Sequence, residues 1–178
     1  MYKSPKNPIA IELTKSYKRR TINLGTIKAI YVELPDQTSQ RRCAWCTEVA
    51  VKGNRKYCGD DCATSAMAWA YPQKEDALKF LLVRQGFKCL ICQYDYFPAF
   101  SAIMARDKIN PDRDLSNLPW WYFKRLKERV PSERKPEIDH ILAISKGGTS
   151  LGLDNHQAIC YTCHKVKTKV DNSGPRAK

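Results

Sequence analysis

Residues 137–167 read EIDHILAISKGGTSLGLDNHQAICYTCHKVK, and the rest of the chain takes its meaning from them. An apolar-rich run over 137–143 precedes the pair Gly147-Gly148. A second such run covers 150–159, and Cys160-x-x-Cys163 opens a lysine-rich segment over 161–170. Glycine pairs punctuate the chain, and runs of this length on either side read as strands. The stretch predicts strand, turn, strand, helix. The 3 histidines of the chain, His140, His156 and His164, all fall inside it.

Working outward, the 8 cysteines form close pairs: Cys43/Cys46, Cys58/Cys62, Cys89/Cys92 and Cys160/Cys163. Disulfide frameworks rarely use this pairing. Zinc uses it routinely, because a tight knuckle aims two thiolates at one tetrahedral ion. Two four-cysteine zinc sites use every cysteine. The start of the chain is charged and has no apolar run behind it, so no secretion signal is read and a cytoplasmic location is expected. Cys43, Cys46, Cys58 and Cys62, with Lys52-Gly53-Asn54-Arg55-Lys56 between the pairs, predict a treble-clef-like finger. Its second pair opens a helix over 63–70, capped by Asp60 or Asp61 and interrupted by Pro72. Such a finger binds DNA, RNA or protein, or only holds a fold together.

The segments between the cysteines complete the organisation. Residues 1–42 are basic and β-rich, with strands expected over 9–13 and 26–34. Lys15, Lys18, Arg19 and Arg20 between them form either a phosphate-touching arm or a solvated loop, and Arg41 and Arg42, beside the first knuckle, are further candidate nucleic-acid contacts. Ala77, Leu78, Leu81 and Leu82 repeat at helical spacing over 73–85, and Gly86 stops that helix. Residues 93–136 read as an inserted helical segment, with a short helix over 99–106 and another over 114–130. Trp120, Trp121, Phe123 and Leu126 mark the apolar side of the second, and its aromatics are read as core in preference to nucleic-acid contacts. Residues 171–178 are polar and are read as a frayed tail. The domain plan is therefore 1–42, a finger over 43–72, a zinc-bearing unit over 73–170, and the tail.

Charge and chemistry point the same way. The net charge of +13 favours a polyanionic partner through counterion release from phosphates. No apolar run approaches the ~20 residues of a membrane span. Hydrolysis of a phosphodiester needs a base for the attacking water and an electrophile for the charge that develops on phosphorus. A neutral histidine, with its unperturbed pKa of ~6.5, supplies the first. A divalent ion held by one carboxylate and one imidazole supplies the second. Asp139 and His140 are adjacent, so a regular strand turns them to opposite faces, and both serve one site only if the strand is irregular there or one acts from the loop edge.

The stretch from about Phe87 to Lys167 resembles the HNH endonucleases of the ββα-metal superfamily. The elements that carry the likeness are Cys89/Cys92, Asp139-His140-Ile141, Gly147-Gly148, Asn155-His156-Gln157 and Cys160-x-x-Cys163-His164 followed by Lys167. The resemblance implies an α+β fold: a small zinc-stabilised ββα-metal nuclease unit beside the N-terminal finger and β-rich region. It implies His140 as general base, Asp139 and His164 as ligands of a catalytic divalent ion (Mg²⁺ first, Mn²⁺ another), and Asn155 as the residue that fixes the loop and orients His140. Cys89, Cys92, Cys160 and Cys163 would hold a structural Zn²⁺, the second of two. The implied substrate is DNA, double-stranded in the first instance, cut by a monomer or a homodimer. Lys165 and Lys167 would touch phosphate or stand solvated. His156 replaces a commonly apolar residue and is read as packed or solvated in preference to a metal ligand. A zinc-finger nucleic-acid-binding protein without cleavage is the competing expectation. The motif leaves open a phage, a defence and a homing context.

Overall fold

The computed structural model describes residues 2–6, 11, 42–48, 57–72, 75–110, 115 and 118–173. Its elements are α1 (Asp60–Ala70), α2 (Glu75–Arg84), α3 (Phe97–Arg106), α4 (Trp120–Arg129), β1 (Pro136–His140), β2 (His156–Cys160) and α5 (Tyr161–Asn172). The fold is α+β, with β1 and β2 pairing antiparallel and α5 following directly on β2.

The spacing of α2 explains the centre of the molecule. Ala77, Leu78, Leu81 and Leu82 fall on one helical face and are fully buried. Gly86 then takes a left-handed φ of +61° and ends the helix, a conformation that costs glycine little. The chain turns at once into the knuckle of Cys89 and Cys92, closed by Cys89 N donating to the Tyr94 carbonyl over 2.9 Å. Asp95 accepts from the Phe97 amide at 2.8 Å and starts α3. Phe100 and Met104 of α3, with Phe123 and Leu126 of α4, pack with Leu81, Leu82, Phe87, Ala158 and Ile159 in one core. The inserted helices thus form a wall of the nuclease-like unit.

β2 is buried along its whole length, so both its edges need hydrogen-bond partners. β1 serves one. On the other, the Gln85 side chain stands in for a strand: it donates to the Ala158 carbonyl and accepts from the Ala158 amide, both at 2.8 Å. Arg84 donates to the carbonyls of Leu153 (3.0 Å) and His156 (2.8 Å).

A second, smaller core gathers Cys43, Trp45, Cys46, Cys62, Ala66, Trp69 and Leu151. Residues 2–6 run beside it, with Trp45 Nε1 donating to the Lys3 carbonyl at 2.7 Å. Leu151 and the 3.1 Å bond from Gly152 N to Trp69 O tie this core to the loop before β2.

Several expected boundaries move. The helix expected over 114–130 is α4, which starts only at Trp120, because Pro119 disfavours helical backbone in the residue before it. Trp120 and Trp121, read as core, are 43% and 36% exposed, while Phe123 and Leu126 are buried as expected. Both strands are shorter than expected: the Asn155 side chain captures the backbone at Leu142, and Gly152 at φ +74° keeps the approach to β2 irregular. α5 runs two residues into the expected tail, since Asp171 is ion-paired with Lys167 and Lys146. Ile11 lies in helical backbone, against the strand expected over 9–13. The strand expected over 26–34, the turn of Lys52–Lys56 and the basic residues Lys15, Lys18, Arg19, Arg20 and Arg41 lie outside the described residues. Among the described residues, no helix is long and apolar enough to cross a membrane.

The contrast on α4 is directly measurable. Phe123→Ala should cost about 3–5 kcal/mol, and Trp120→Ala no more than about 0.5 kcal/mol. Denaturant unfolding of the two variants reads this difference, and equal losses would mean that α4 presents a different face to the core.

Candidate active site

The side chains of β1 alternate. Glu137 and Asp139 turn toward α5, and Ile138 and His140 toward the other face. On α5 the ring of His164 lies between two carboxylates, with Nδ1 2.5 Å from Glu137 Oε2 and Nε2 3.7 Å from Asp139 Oδ1. A separation of 3.7 Å is too long for a hydrogen bond. It suits two ligands of one divalent ion, each about 2.1 Å from it. The donor set, one hard oxygen and one imidazole, fits such an ion.

The other Asp139 oxygen is held by the protein. Lys167 Nζ stands 3.1 Å from Asp139 Oδ2 and 2.5 Å from Asp171 Oδ2. Burial opposes the Lys167 charge, but Asp171 and Asp139 outweigh it and hold its pKa above the ordinary lysine value. Lys146, beside the glycine pair, continues the chain to Asp171 Oδ1 at 3.5 Å. Lys167, one of the two candidate phosphate contacts on α5, is thus turned inward. Lys165 is exposed, with its Nζ over the Tyr161 ring.

Asn155 organises the loop between the strands. Its Oδ1 accepts from the Leu142 amide at 2.9 Å, and its Nδ2 donates to the carbonyls of Leu142 (2.9 Å) and Thr149 (2.8 Å). Gly148 is compulsory beside it, because a Cβ there would fall 1.9 Å from the Leu142 carbonyl oxygen and 2.7 Å from Asn155 Nδ2. Gly147 supplies the left-handed φ of +99° that closes the preceding turn. The strand ends at His140 because the clamp takes over the chain immediately after it.

His140 faces its register partner His156, ring centroids 4.5 Å apart, and so sits on the opposite side of the strand from Asp139. His156 is fully buried. Burial first, and the neighbouring His140 second, push its pKa down to about 3, so the ring is neutral. Of the packed and solvated readings, the structure selects the packed one.

The cysteines form two groups, Cys43/Cys46/Cys58/Cys62 and Cys89/Cys92/Cys160/Cys163, with the sulfurs of each within 4.8 Å of one another. Cys46–Cys58, Cys58–Cys62 and Cys92–Cys160 stand 3.8, 3.6 and 3.7 Å apart. Tetrahedral thiolates about 2.3 Å from a zinc ion lie ~3.8 Å from each other, whereas a disulfide needs about 2.05 Å. Both groups are therefore compatible with zinc. The amides of the knuckle reinforce this. Burial alone would raise the Cys89 thiol, but backbone N–H groups of Cys92, Cys160 and Ile91 more than offset it and hold its pKa at about 7. Arg134 adds a guanidinium 3.5 Å from Cys92 Sγ and 3.9 Å from Cys160 Sγ. Arg42 instead donates to the carbonyls of Thr47 and Glu48 and so braces the first knuckle.

The structure thus brings Asp139 together with His164, and Asn155 with the loop, and it sets His140 on the far side of the strand. Glu137 and the Lys146–Asp171–Lys167 chain were not singled out in the sequence. Two signals were present: Glu137 shares a strand face with Asp139, and Lys167 and Asp171 stand four apart on a helix.

Two strands and a helix, stapled by four thiols and holding an acid–imidazole cluster between strand and helix, make a ββα unit. Residues 127–169 match the family model described as HNH endonuclease, and the chain carries an HNH endonuclease domain there. Among curated proteins and solved structures, none matches the chain.

Acid should probe His156. Its folded pKa lies below the ~6.5 of an unfolded histidine, so the unfolded chain binds the extra proton. The stability it contributes is complete above about pH 6.5 and drains away as pH falls toward 3. His156→Leu should flatten the decline in thermal midpoint between about pH 6.5 and 5, where the native ring stays neutral. An unchanged slope would show that the ring protonates equally in both states.

Proposed function

We propose that the chain is a divalent-metal-dependent DNA endonuclease. The observation that carries this reading is the 3.7 Å approach of Asp139 Oδ1 to His164 Nε2 inside the stretch that matches the HNH endonuclease model. Asp139 and His164 would hold the ion, with Mg²⁺ as the physiological species and Mn²⁺ as a substitute. When bound, such an ion supplies positive charge against the oxygens of the scissile phosphate.

The protein's own residues do the rest. His140, at the last position of β1, takes a proton from the attacking water. The water oxygen bonds to phosphorus as the bond from phosphorus to the 3′ oxygen breaks. The leaving oxygen takes a proton from solvent, which gives a 3′-hydroxyl and a 5′-phosphate. Asp139 and His140 lie on opposite faces of β1, so the substrate phosphate must sit off the strand's end, where both side chains reach it. Asn155 fixes that end by tying down the backbone on either side of the loop. Two structural zinc ions hold the finger and the β2–α5 junction.

The groove alongside α5 fits the same reading. It is lined by Glu137, Tyr161, His164, Lys165 and Lys169, and its two lysines stand where a polyanionic backbone would pass. With a net charge of +13, binding should weaken steeply as salt rises.

A plasmid-nicking assay on the zinc-loaded protein with Mg²⁺ tests the proposal. His140→Ala should lower the rate by about 10²–10⁴-fold without changing zinc content. Asp139→Asn and His164→Ala should abolish stimulation by the added metal. Retained DNA binding with no cleavage by the wild type, on duplex or single strand, would instead make this a binding module. Metal analysis should find two zinc per chain, and Cys160→Ser should lose one of them with a large fall in stability.

A further inference from the structure

The ring of His164 has two nitrogens, and the structure gives each a different neighbour. Nε2 looks toward Asp139 Oδ1, while Nδ1 lies 2.5 Å from Glu137 Oε2. At that distance one proton is shared between ring and carboxylate, and a carboxylate at neutral pH is an acceptor only. A proton therefore sits on Nδ1, and Nε2 is the nitrogen turned toward Asp139. Imidazoles that bind metals are commonly fixed in this way, by a carboxylate on the nitrogen that does not face the ion.

The backbone builds this arrangement without strain. Glu137 and Asp139 are two apart on β1 and share a face. One strand thus supplies both the carboxylate that faces the metal seat and the one that aligns its partner imidazole. His164 follows Cys163 in the first turn of α5, so the cysteine cluster fixes the helix and Glu137 fixes the ring.

We propose that Glu137 is a positioning residue for the metal seat: it accepts the Nδ1 proton of His164 and so selects the tautomer that offers Nε2 to the ion. This rests on the assignment of Asp139 and His164 to the metal. Glu137 itself stays off the ion, because its carboxylate is engaged on the far side of the ring.

Two readouts on the full-length, zinc-loaded chain test it. The first needs no metal at the seat. Long-range ¹H–¹⁵N spectra resolve the 3 histidine rings, and at about pH 9, above the ordinary imidazole range, they report the tautomer of each. His164 should be in the Nδ1–H form in the wild type and move to the usual Nε2–H form in Glu137→Ala. A wild-type His164 in the Nε2–H form overturns the proposal with no variant needed. The second readout is calorimetric titration with Mn²⁺. Glu137→Ala should weaken binding by about 10–100-fold. Glu137→Gln, which keeps an acceptor oxygen, should recover most of that loss. Equal failure of Gln and Ala would make Glu137 a direct ligand and sink the positioning role. Unchanged Mn²⁺ affinity in Glu137→Ala would leave Glu137 a structural residue only. Asp139→Asn is the control for the underlying assignment. If it binds Mn²⁺ as the wild type does, the metal seat lies elsewhere, while the tautomer of His164 still decides what Glu137 does to the ring.

Discussion

Four sulfur atoms, from Cys89, Cys92, Cys160 and Cys163, must lie within 4.8 Å of one another for anything else in the nuclease unit to exist. Their separations are too long for disulfides, and if all four were thiolates the uncompensated charges would repel in a buried place. A divalent cation bound there would resolve the conflict, and structural zinc in such clusters contributes on the order of 10 kcal/mol. That is the right scale for the task, because the cluster closes a long loop and the chain entropy lost grows with its length. The consequences run outward. The knuckle sits against β2, with Leu90 N donating to the Ala158 carbonyl at 3.3 Å. Cys160 ends β2 and Cys163 begins α5, so the cluster sets the point where strand becomes helix and the angle at which His164 meets β1.

Around this anchor the active-site electrostatics are arranged as an alternation. Glu137, His164, Asp139, Lys167, Asp171 and Lys146 form a chain in which acidic groups stand between basic ones. Lys167 and Asp139 are largely removed from solvent, so their mutual attraction is less screened than that of a surface pair. Each neighbour restricts one atom of the next. Lys167 takes one oxygen of Asp139 and leaves the other toward His164. The far end of the chain, Lys146, adjoins the glycine pair, so the loop clamped by Asn155 and the end of α5 are held by one network. The groove beside α5 carries Lys165 and Lys169 with Glu137 on its lining, while Asp139 and Asp171 are mostly buried.

Much of this was legible in the sequence, for identifiable reasons. The cysteine spacing encodes knuckles directly, and the pairs assemble as two groups of four. The pattern of Ala77, Leu78, Leu81 and Leu82 defines a helix face because buried positions in a helix repeat at its own period. Gly148 is visible because the space beside it admits no Cβ. The failures are equally physical. Trp120 and Trp121 look like core by composition, yet where they point depends on the helix starting just after Pro119 and on Phe123 and Leu126 taking the inner positions. The extents of β1 and β2 depend on Asn155, whose side chain competes for backbone groups that a propensity reading assigns to the ladder. Glu137 was in plain view in the motif. Its role follows only from the approach of strand to helix, a distance that no local pattern contains. The side of the strand on which His140 lies was anticipated from the alternation, but its pairing with His156 required the register.

The order of parts along the chain has a consequence for how the protein is made. Synthesis runs from the N-terminus, so α2, the Cys89/Cys92 knuckle, α3 and α4 emerge while the thiols that complete their cluster are still unmade. His164 and both of the later cysteines arrive close together, within a few residues of the start of α5. A chain interrupted anywhere before Cys160 therefore holds at most half a staple and no metal seat at all. Hydrolytic capacity, on the proposed reading, appears in a single late step of translation, and truncated copies are born harmless to the nucleic acid around them.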